Sequence, residues 1–84
     1  MFEARIHVTL KKSVLDPQGD TVRSALTSLG FRDVADCRIG KFMVVRLHGR
    51  DVGQAQAQVD EMCRKLLANP VIEDYVFQIT EVAA

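Results

Sequence analysis

The stretch FEARIHVTLK, residues 2–11, alternates between apolar and polar side chains along its whole length. Successive side chains of a β-strand point to opposite faces, so every second residue from Phe2 to Leu10 would lie on one apolar face. The residues between them are charged or polar and would face the other way. This stretch therefore predicts a strand with one buried face, against which the rest of the chain can pack.

A helix is predicted directly after this strand. Asp16 precedes a proline and resembles an N-cap residue, because a carboxylate can accept a hydrogen bond from the first free amides and proline suits the first helical position. Gly30 is suited to the left-handed conformation at a helix end, where Phe31 could close a Schellman motif on Leu26. Apolar residues recur with the helical period at Val22, Ala25, Leu26 and Leu29.

A second helix is predicted from Asp51 to about Ala68, with its apolar residues repeating every three or four positions. It ends at Asn69, because the residue before a proline avoids the helical region. The following segment, VIEDYVFQITEV (residues 71–82), has the apolar alternation of a last strand.

The segment DVADCRIGKFMVVRLHG, residues 33–49, is interpreted as two strands around Gly40. A two-residue turn there would place the charged Arg46 on the core face. A three-residue loop or a bulge at Gly40 would leave Arg46 and His48 outside, and we favour it. That second alignment buries Cys37, Ile39, Met43, Val45 and Leu47.

The predicted order of elements is βαββαβ in one domain over residues 1–84. It is typical of an α+β, split-βαβ (ferredoxin-like) two-layer sandwich, with a four-stranded antiparallel sheet and two helices on one face. The first and third predicted strands would lie side by side at the centre of the sheet. The other face of the sheet would be mixed, carrying arginine, histidine and valine.

Composition excludes several classes of protein. The 11 basic and 11 acidic residues balance, so the chain lacks the excess positive charge expected of a nucleic-acid or anionic-membrane binder. Zero net charge also permits self-association. No apolar run approaches the ~18 residues of a membrane span, and the charged N-terminus is unlike a signal peptide. We expect a cytoplasmic protein, and free thiols at Cys37 and Cys63 rather than a disulfide.

The sequence shows no recognisable constellation of catalytic residues, and no catalytic, cofactor or metal residue is predicted. His7 and His48 lie on strands that could approach each other, but surface histidines are the commoner case. Glu73 and Asp74 are adjacent on a strand and would point to opposite faces, so they do not form an acid–base pair. The IGK segment around Gly40 lacks the remainder of a phosphate-binding loop.

The predicted fold hosts many functions, so it does not by itself select one. An RNA-recognition module would need exposed aromatic residues on its central strands, where this chain carries mainly arginine, histidine and valine. An acylphosphatase-like enzyme would need an arginine-containing loop after the first strand, and KKSVLDPQGD (residues 11–20) contains none. The ACT-like small-molecule-sensing regulatory domain is the leading alternative, because LDPQGD partly resembles its first loop.

Three blocks in order resemble the PurS family, the small subunit of phosphoribosylformylglycinamidine synthase. They are LKKSVLDPQGDTVRSALTSLGF (residues 10–31), VADCRIGKFMVVRL (34–47) and CRKLLANPVIEDYVFQI (63–79). The resemblance extends from about residue 3 to residue 82. Val44 departs from it, since a glutamate is more usual there.

The resemblance implies a non-catalytic subunit of an ATP- and glutamine-dependent C–N ligase in purine biosynthesis. Such a subunit bridges a PurL-type synthetase and a PurQ-type glutaminase, supports ammonia transfer between them, and is typically a homodimer or a higher homo-oligomer. ATP and magnesium are implied for the assembled complex and no cofactor for this chain, with no nucleic-acid or membrane partner. The candidate subunit-contact residues are Asp16, Gln18, Arg38, Lys41, Asn69 and Tyr75.

Overall fold

The computed structural model describes residues 1–83 as a small α+β domain. A short π-helical turn extends the second helix, and it was not expected from the sequence. The elements are β1 (Phe2–Leu10), α1 (Pro17–Ser28), β2 (Gly40–Leu47), α2 (Val52–Met62), the π-helical turn (Cys63–Leu67) and β3 (Glu73–Glu81).

The strand predicted from residues 2–11 is the centre of the sheet. The strand order is β2-β1-β3, and both neighbours run antiparallel to β1. Ile6 stands opposite Met43 on one side and Phe77 on the other. This confirms the prediction that the first strand is central and pairs with the strand after Gly40, but β2 is an edge strand rather than a second central one.

The core lies between the apolar face of β1 and α2. Ile6 and Val8 of the strand and Val59 and Cys63 of the helical segment are its largest completely buried side chains. The alternation in β1 produces this core directly, because the odd-numbered residues Arg5, His7 and Thr9 are exposed and Glu3 is partly exposed. The carboxylate of Glu3 lies 3.4 Å from Nε of Arg46 on β2. Truncation of any of these large side chains would leave a cavity.

The predicted fourth strand over residues 33–39 is wrong for the single chain. Residues 1–83 form a three-stranded sheet, and the segment before Gly40 is instead bonded to the loop after β1. The amide of Ile39 donates to Asp16, and the guanidinium of Arg38 donates to backbone carbonyls of that loop. The preferred facing of β2 is confirmed: Met43, Val45 and Leu47 point inward while Arg46 is exposed.

The prediction that two helices cover one sheet face is also wrong for the single chain, since α1 makes no extensive contact with the sheet or α2. Within α1 only Gly19 is buried, and Leu29 just after it is 73% exposed. The helix lies in an extension formed by residues 11–39, which we call the arm. The three strands, α2 and the π-helical turn form the body, and the whole chain is 50 Å long.

The ends of α1 have the predicted chemistry. Asp16 is the N-cap and its carboxylate accepts from the amide of Gly19 at 2.9 Å. At the other end Gly30 has a φ of 103°, which favours glycine. The amide of Phe31 donates to the carbonyl of Leu26 at 3.0 Å, as in a Schellman motif.

The second helix begins and ends close to the predicted residues. The Asp51 carboxylate accepts from the amide of Gln54 at 2.8 Å, which caps the N-terminus of α2. The π-helical turn carries the helical segment to Leu67, and the chain becomes extended at Ala68. No helix within residues 1–83 is long and apolar enough to cross a membrane.

Candidate subunit-contact site

The candidate site is a cleft of about 240 Å³ at the junction of the arm and the body. The N-terminus of α1 forms one wall and the start of β2 the other. The cleft is open to solvent and is lined by apolar strand residues together with three of the predicted contact residues. Its lining comprises Val8, Leu10, Asp16, Pro17, Gln18, Ile39, Gly40, Lys41 and Glu73.

Asp16 is the buried polar centre of this junction. It is 4% exposed, and its two carboxylate oxygens accept separately from the amides of Gly19 and Ile39, each at 2.9 Å. The hydrogen bond from the backbone amide of Ile39, followed by that from Gly19, lowers the pKa of Asp16. Nearby Arg38 adds to this effect, while burial opposes it. Asp16 therefore joins the start of α1 to the start of β2 as an anion.

Arg38 provides a second connection between the same two segments. Its Nη2 donates to the carbonyls of Leu10, Lys11 and Val14 at 3.3, 2.8 and 3.2 Å. These carbonyls belong to the end of β1 and to the loop after it, so Arg38 connects that loop to the segment before β2. The side chain was predicted to contact a subunit, and here it fixes the base of the arm.

Gln18 and Lys41 lie on the rim of the cleft and are exposed. Nζ of Lys41 lies 3.5 Å from Oε2 of Glu73, at the start of β3. Lys11 and Asp74 form a second ion pair nearby at 3.0 Å. Surface ion pairs of this kind contribute little to stability, so these side chains are available to a partner at small cost.

Asn69 and Tyr75 have clear local roles. The side-chain oxygen of Asn69 accepts from the backbone amide of Val71 at 3.1 Å. The backbone amide of Asn69 donates to the carboxylate of Glu73 at 2.8 Å, and the two hydrogen bonds shape the turn before β3. The hydroxyl of Tyr75 donates to Asp60 of α2 at 2.6 Å. That bond is the main reason why the pKa of Tyr75 is raised.

The structure thus brings Asp16, Gln18, Arg38 and Lys41 together and links Asn69 to them through Glu73. Tyr75 is separate, half-buried between the sheet and α2. The sequence placed Glu73 within a candidate contact block, residues 69–75, but its ion pair with Lys41 was not predicted. The block NPVIE (residues 69–73) was the available signal, because it places a carboxylate directly after the turn.

The outer sheet face carries the other polar residues considered from the sequence. The rings of His7 and Phe42 are 4.7 Å apart between centroids, and Phe42 is half exposed. His48 follows the far end of β2, so the two histidines do not meet. Over residues 1–83 no three or more side chains of the metal-ligating types converge. The free thiols are confirmed, with Cys63 buried and Cys37 partly exposed.

Comparison with known proteins identifies the family to which the chain is similar. Residues 3–81 match the family model described as PurS: Phosphoribosylformylglycinamidine (FGAM) synthase. A curated relative is phosphoribosylformylglycinamidine synthase subunit PurS of Bacillus subtilis strain 168. It is 48% identical over 84 residues, which cover 100% of this chain and 99% of the relative.

Solved structures share the architecture. PurS of Methanocaldococcus jannaschii is described as one of the subunits of formylglycinamide ribonucleotide amidotransferase in the purine biosynthetic pathway. It has a TM-score of 0.87 and 37% identity, covering 99% of this chain and 100% of that one. A chain of the structure of PurLQS from Thermotoga maritima has a TM-score of 0.86 and 29% identity, covering 94% and 96%.

Proposed function

The chain belongs to the PurS family of phosphoribosylformylglycinamidine synthase, and from this premise we propose that it is the small, non-catalytic subunit of that enzyme. The observation that carries the proposal is the match over residues 3–81. As one domain over residues 1–84 in the cytoplasm, it bridges the synthetase and glutaminase subunits. It also self-associates as a homodimer or a higher homo-oligomer. The family match favours this function over an ACT-like regulatory domain.

The role follows from the chemistry of ammonia. The glutaminase releases ammonia from glutamine, and the synthetase uses it to replace the amide oxygen of formylglycinamide ribonucleotide. In water near neutral pH ammonia is mostly protonated and is then no longer a nucleophile. A passage between subunits that excludes water keeps it neutral. A small sheet domain whose exposed loops touch both partners can position and seal such a joint.

We assign ATP and magnesium to the synthetase subunit of the complex. Magnesium prefers carboxylate and phosphate oxygens in an octahedral arrangement. The acidic residues nearest the cleft are already occupied, since Asp16 accepts two backbone amides and Glu73 binds the Asn69 amide beside Lys41. These two carboxylates are therefore not free to hold magnesium, and over residues 1–83 no group of three or more metal-ligating side chains converges elsewhere.

Reconstitution tests the proposed function. The purified chain alone is expected to show no turnover, and the two larger subunits alone are expected to show little glutamine-dependent synthesis. Adding the chain should restore that activity. Synthesis from a high concentration of an ammonium salt should depend much less on the chain, because free ammonia bypasses the transfer between subunits.

Full glutamine-dependent activity of the two larger subunits without this chain would contradict the proposal. Calorimetric titration with amino acids separates it from the ACT-like alternative. A regulatory domain would bind an amino acid saturably and release or absorb heat, whereas the subunit is expected to show no heat of binding.

Lys41→Glu is expected to weaken assembly at the cleft. The substitution places a carboxylate beside Glu73 on the rim, so a partner surface that suits the native pair meets two like charges. We expect at least a tenfold higher concentration of chain for half-maximal glutamine-dependent activity, with an unfolding midpoint close to that of the native protein. Lys12→Glu, an exposed lysine outside the cleft lining, is the matched control. Equal effects of the two substitutions would remove Lys41 from the interface.

A further inference from the structure

The outer sheet face, the side of the sheet that carries Phe42, Val44 and Val76, has no cover within residues 1–83. The core lies between the other face and α2, so every second side chain of the strands points away from it. The solvated face of an antiparallel sheet is usually polar. Here its middle is apolar, with Phe42 55% exposed, Val44 51% and Val76 67%.

The exposed apolar side chains of this face are contiguous. His7 of β1 stands directly between Phe42 of β2 and Val76 of β3. The ring centroids of His7 and Phe42 are 4.7 Å apart. Val44 is the next residue of β2 that points to the same side. Scattered apolar residues are normal on a surface, whereas a contiguous exposed group marks a place where another molecule binds.

Two arginines border this apolar group, and they share one carboxylate. Nε of Arg5 and Nε of Arg46 each lie 3.4 Å from a different oxygen of Glu3. Both arginine side chains are more than half exposed, and within residues 1–83 neither forms an ion pair with another carboxylate. This end of the face therefore has two positive charges against one negative charge. The guanidinium groups have donors left for a further carboxylate.

The charge favours a different protein over a second copy of this chain as the binding partner. A second copy would bring the same excess of positive charge to the contact. The carboxylate at the opposite end of the face, Asp74, is already paired with Lys11 at 3.0 Å. Complementary charge selects a partner and disfavours others. The partner that fits has apolar side chains with a carboxylate at one end.

The shape of the face indicates a helix as the bound element. Three strands about 4.8 Å apart form a surface roughly 14 Å wide, and the length from Glu3 to Thr9 is roughly 20 Å. An α-helix with its side chains is about 10–12 Å across, so about four turns of one helix would cover the face. The backbone of β1 is paired on both sides. The contact is therefore made by side chains, as where a helix packs on a sheet.

The outer sheet face lies on the side of the sheet opposite the cleft. Lys41 and Phe42 are neighbours on β2 and point to opposite sides. Lys41 stands opposite the buried Val8, whereas Phe42 stands opposite the exposed His7. A subunit that bridges two proteins needs two surfaces that can be occupied at the same time. The cleft and the outer sheet face meet this requirement, because neither blocks the other.

We propose that the outer sheet face binds an acidic, amphipathic helix of one of the two larger subunits, while the cleft contacts the other. Apolar side chains of that helix pack on Phe42, Val44 and Val76, and a carboxylate near one of its ends bonds Arg5 and Arg46. The inference rests on the proposed function, and it adds which surface of the chain binds which kind of element.

Photo-crosslinking in the active mixture of the three subunits tests this arrangement. The photoreactive residue is placed on the outer sheet face by Gln78→p-benzoylphenylalanine, and on the cleft rim by Gln18→p-benzoylphenylalanine. Both glutamines are exposed, so the apolar group and the arginines stay intact. We expect the two positions to link to different larger subunits. Mass spectrometry should find the peptide linked to position 78 in an amphipathic, acidic helix.

Linkage of position 78 to another copy of this chain, to neither larger subunit, or to the same subunit as position 18 would overturn the proposal while the proposed function stands. If the native chain restores no glutamine-dependent synthesis, the proposed function fails and this inference fails with it.

Phe42→Ser and Arg46→Glu give a second, independent measurement. Each should raise the concentration of chain needed for half-maximal glutamine-dependent activity at least about tenfold, because one removes apolar contact and the other repels a carboxylate. Val52→Ser at the start of α2 and Arg50→Glu after β2 change exposed residues outside the sheet. These controls should behave like the native chain. Equal values for each variant and its control would contradict the proposal.

Sedimentation of the chain alone separates a partner subunit from a second copy on this face. Phe42→Ser and the native chain should have the same mass in solution. A lower mass for Phe42→Ser would place a second copy on the outer sheet face and would overturn the proposal.

Discussion

Gly19→Ala is expected to lower the free energy of unfolding by about 1–3 kcal/mol. A Cβ atom at this position would lie 2.1 Å from the carbonyl oxygen of Cys37, far inside contact distance. The obstructing atom belongs to the backbone, so no side-chain rotation relieves the clash. The segment before β2 would have to move away from α1, which would disturb the hydrogen bond from the Ile39 amide to Asp16 at 2.9 Å.

The matched control is Gly49→Ala. Its Cβ would meet the ring of Phe2 at 3.4 Å, an ordinary contact distance, and the change should be close to neutral. Chemical denaturation at one fixed protein concentration compares the two variants, because unfolding of a self-associating chain depends on concentration. If Gly19→Ala unfolds at the same denaturant concentration as Gly49→Ala, the close packing of residues 19 and 37 is not present in solution.

Asp16→Asn is expected to lower the unfolding midpoint by about 5 °C or more at neutral pH. The shapes of the two side chains match, but asparagine has only one acceptor oxygen. Its amide nitrogen must therefore face the N–H of either Gly19 or Ile39, which leaves that buried donor unsatisfied. The substitution also removes the negative charge beside Arg38. The loss of the N-cap of α1 and the loss of the contact between α1 and the start of β2 both lower the unfolding midpoint.

The pH dependence of this effect has a definite sign. The pKa of Asp16 is lower in the folded chain than in the unfolded one, so its ionised form contributes stability above the ordinary aspartate pKa. That contribution is lost as the pH falls through the folded pKa. The difference in midpoint between native protein and Asp16→Asn should be largest near neutrality and should shrink in acid.

Thermal unfolding followed from neutral pH down to acid measures this difference. Asp33→Asn removes an exposed carboxylate from the same arm and should follow the native profile. Parallel profiles for the native protein and Asp16→Asn would show that the carboxylate is not ionised against its two amides. Other carboxylates also titrate in acid, so the difference between variants, rather than either curve alone, is the relevant quantity.

The local features of the fold could be predicted from the sequence because each depends on neighbouring residues. Asp16 and Pro17 start α1, and Gly30 ends it with the bonds of a Schellman motif. Asn69 ends the second helical segment before β3. The buried face of β2 could also be predicted, since only one alignment keeps Arg46 out of the core.

The candidate site was predictable in part. Gln18 and Lys41 are exposed on the cleft, as contact residues should be. Asp16 and Arg38 were predicted for the same purpose, but their polar atoms bind the chain's own backbone. A sequence shows that a charged residue is near a turn. It does not show which backbone groups lack partners there, and those groups determine the role of the side chain.

By itself the sequence determined that β1 is the central strand, where both helices begin and end, and which family the chain belongs to. Only the tertiary structure decided that α1 leaves its own sheet and that residues 33–39 form no strand within the chain. The reason is physical: an apolar period states that a face is buried, but not against which surface. Here the hydrogen bonds of Asp16 and Arg38 tie the two ends of the arm to each other, and these bonds join residues more than twenty positions apart.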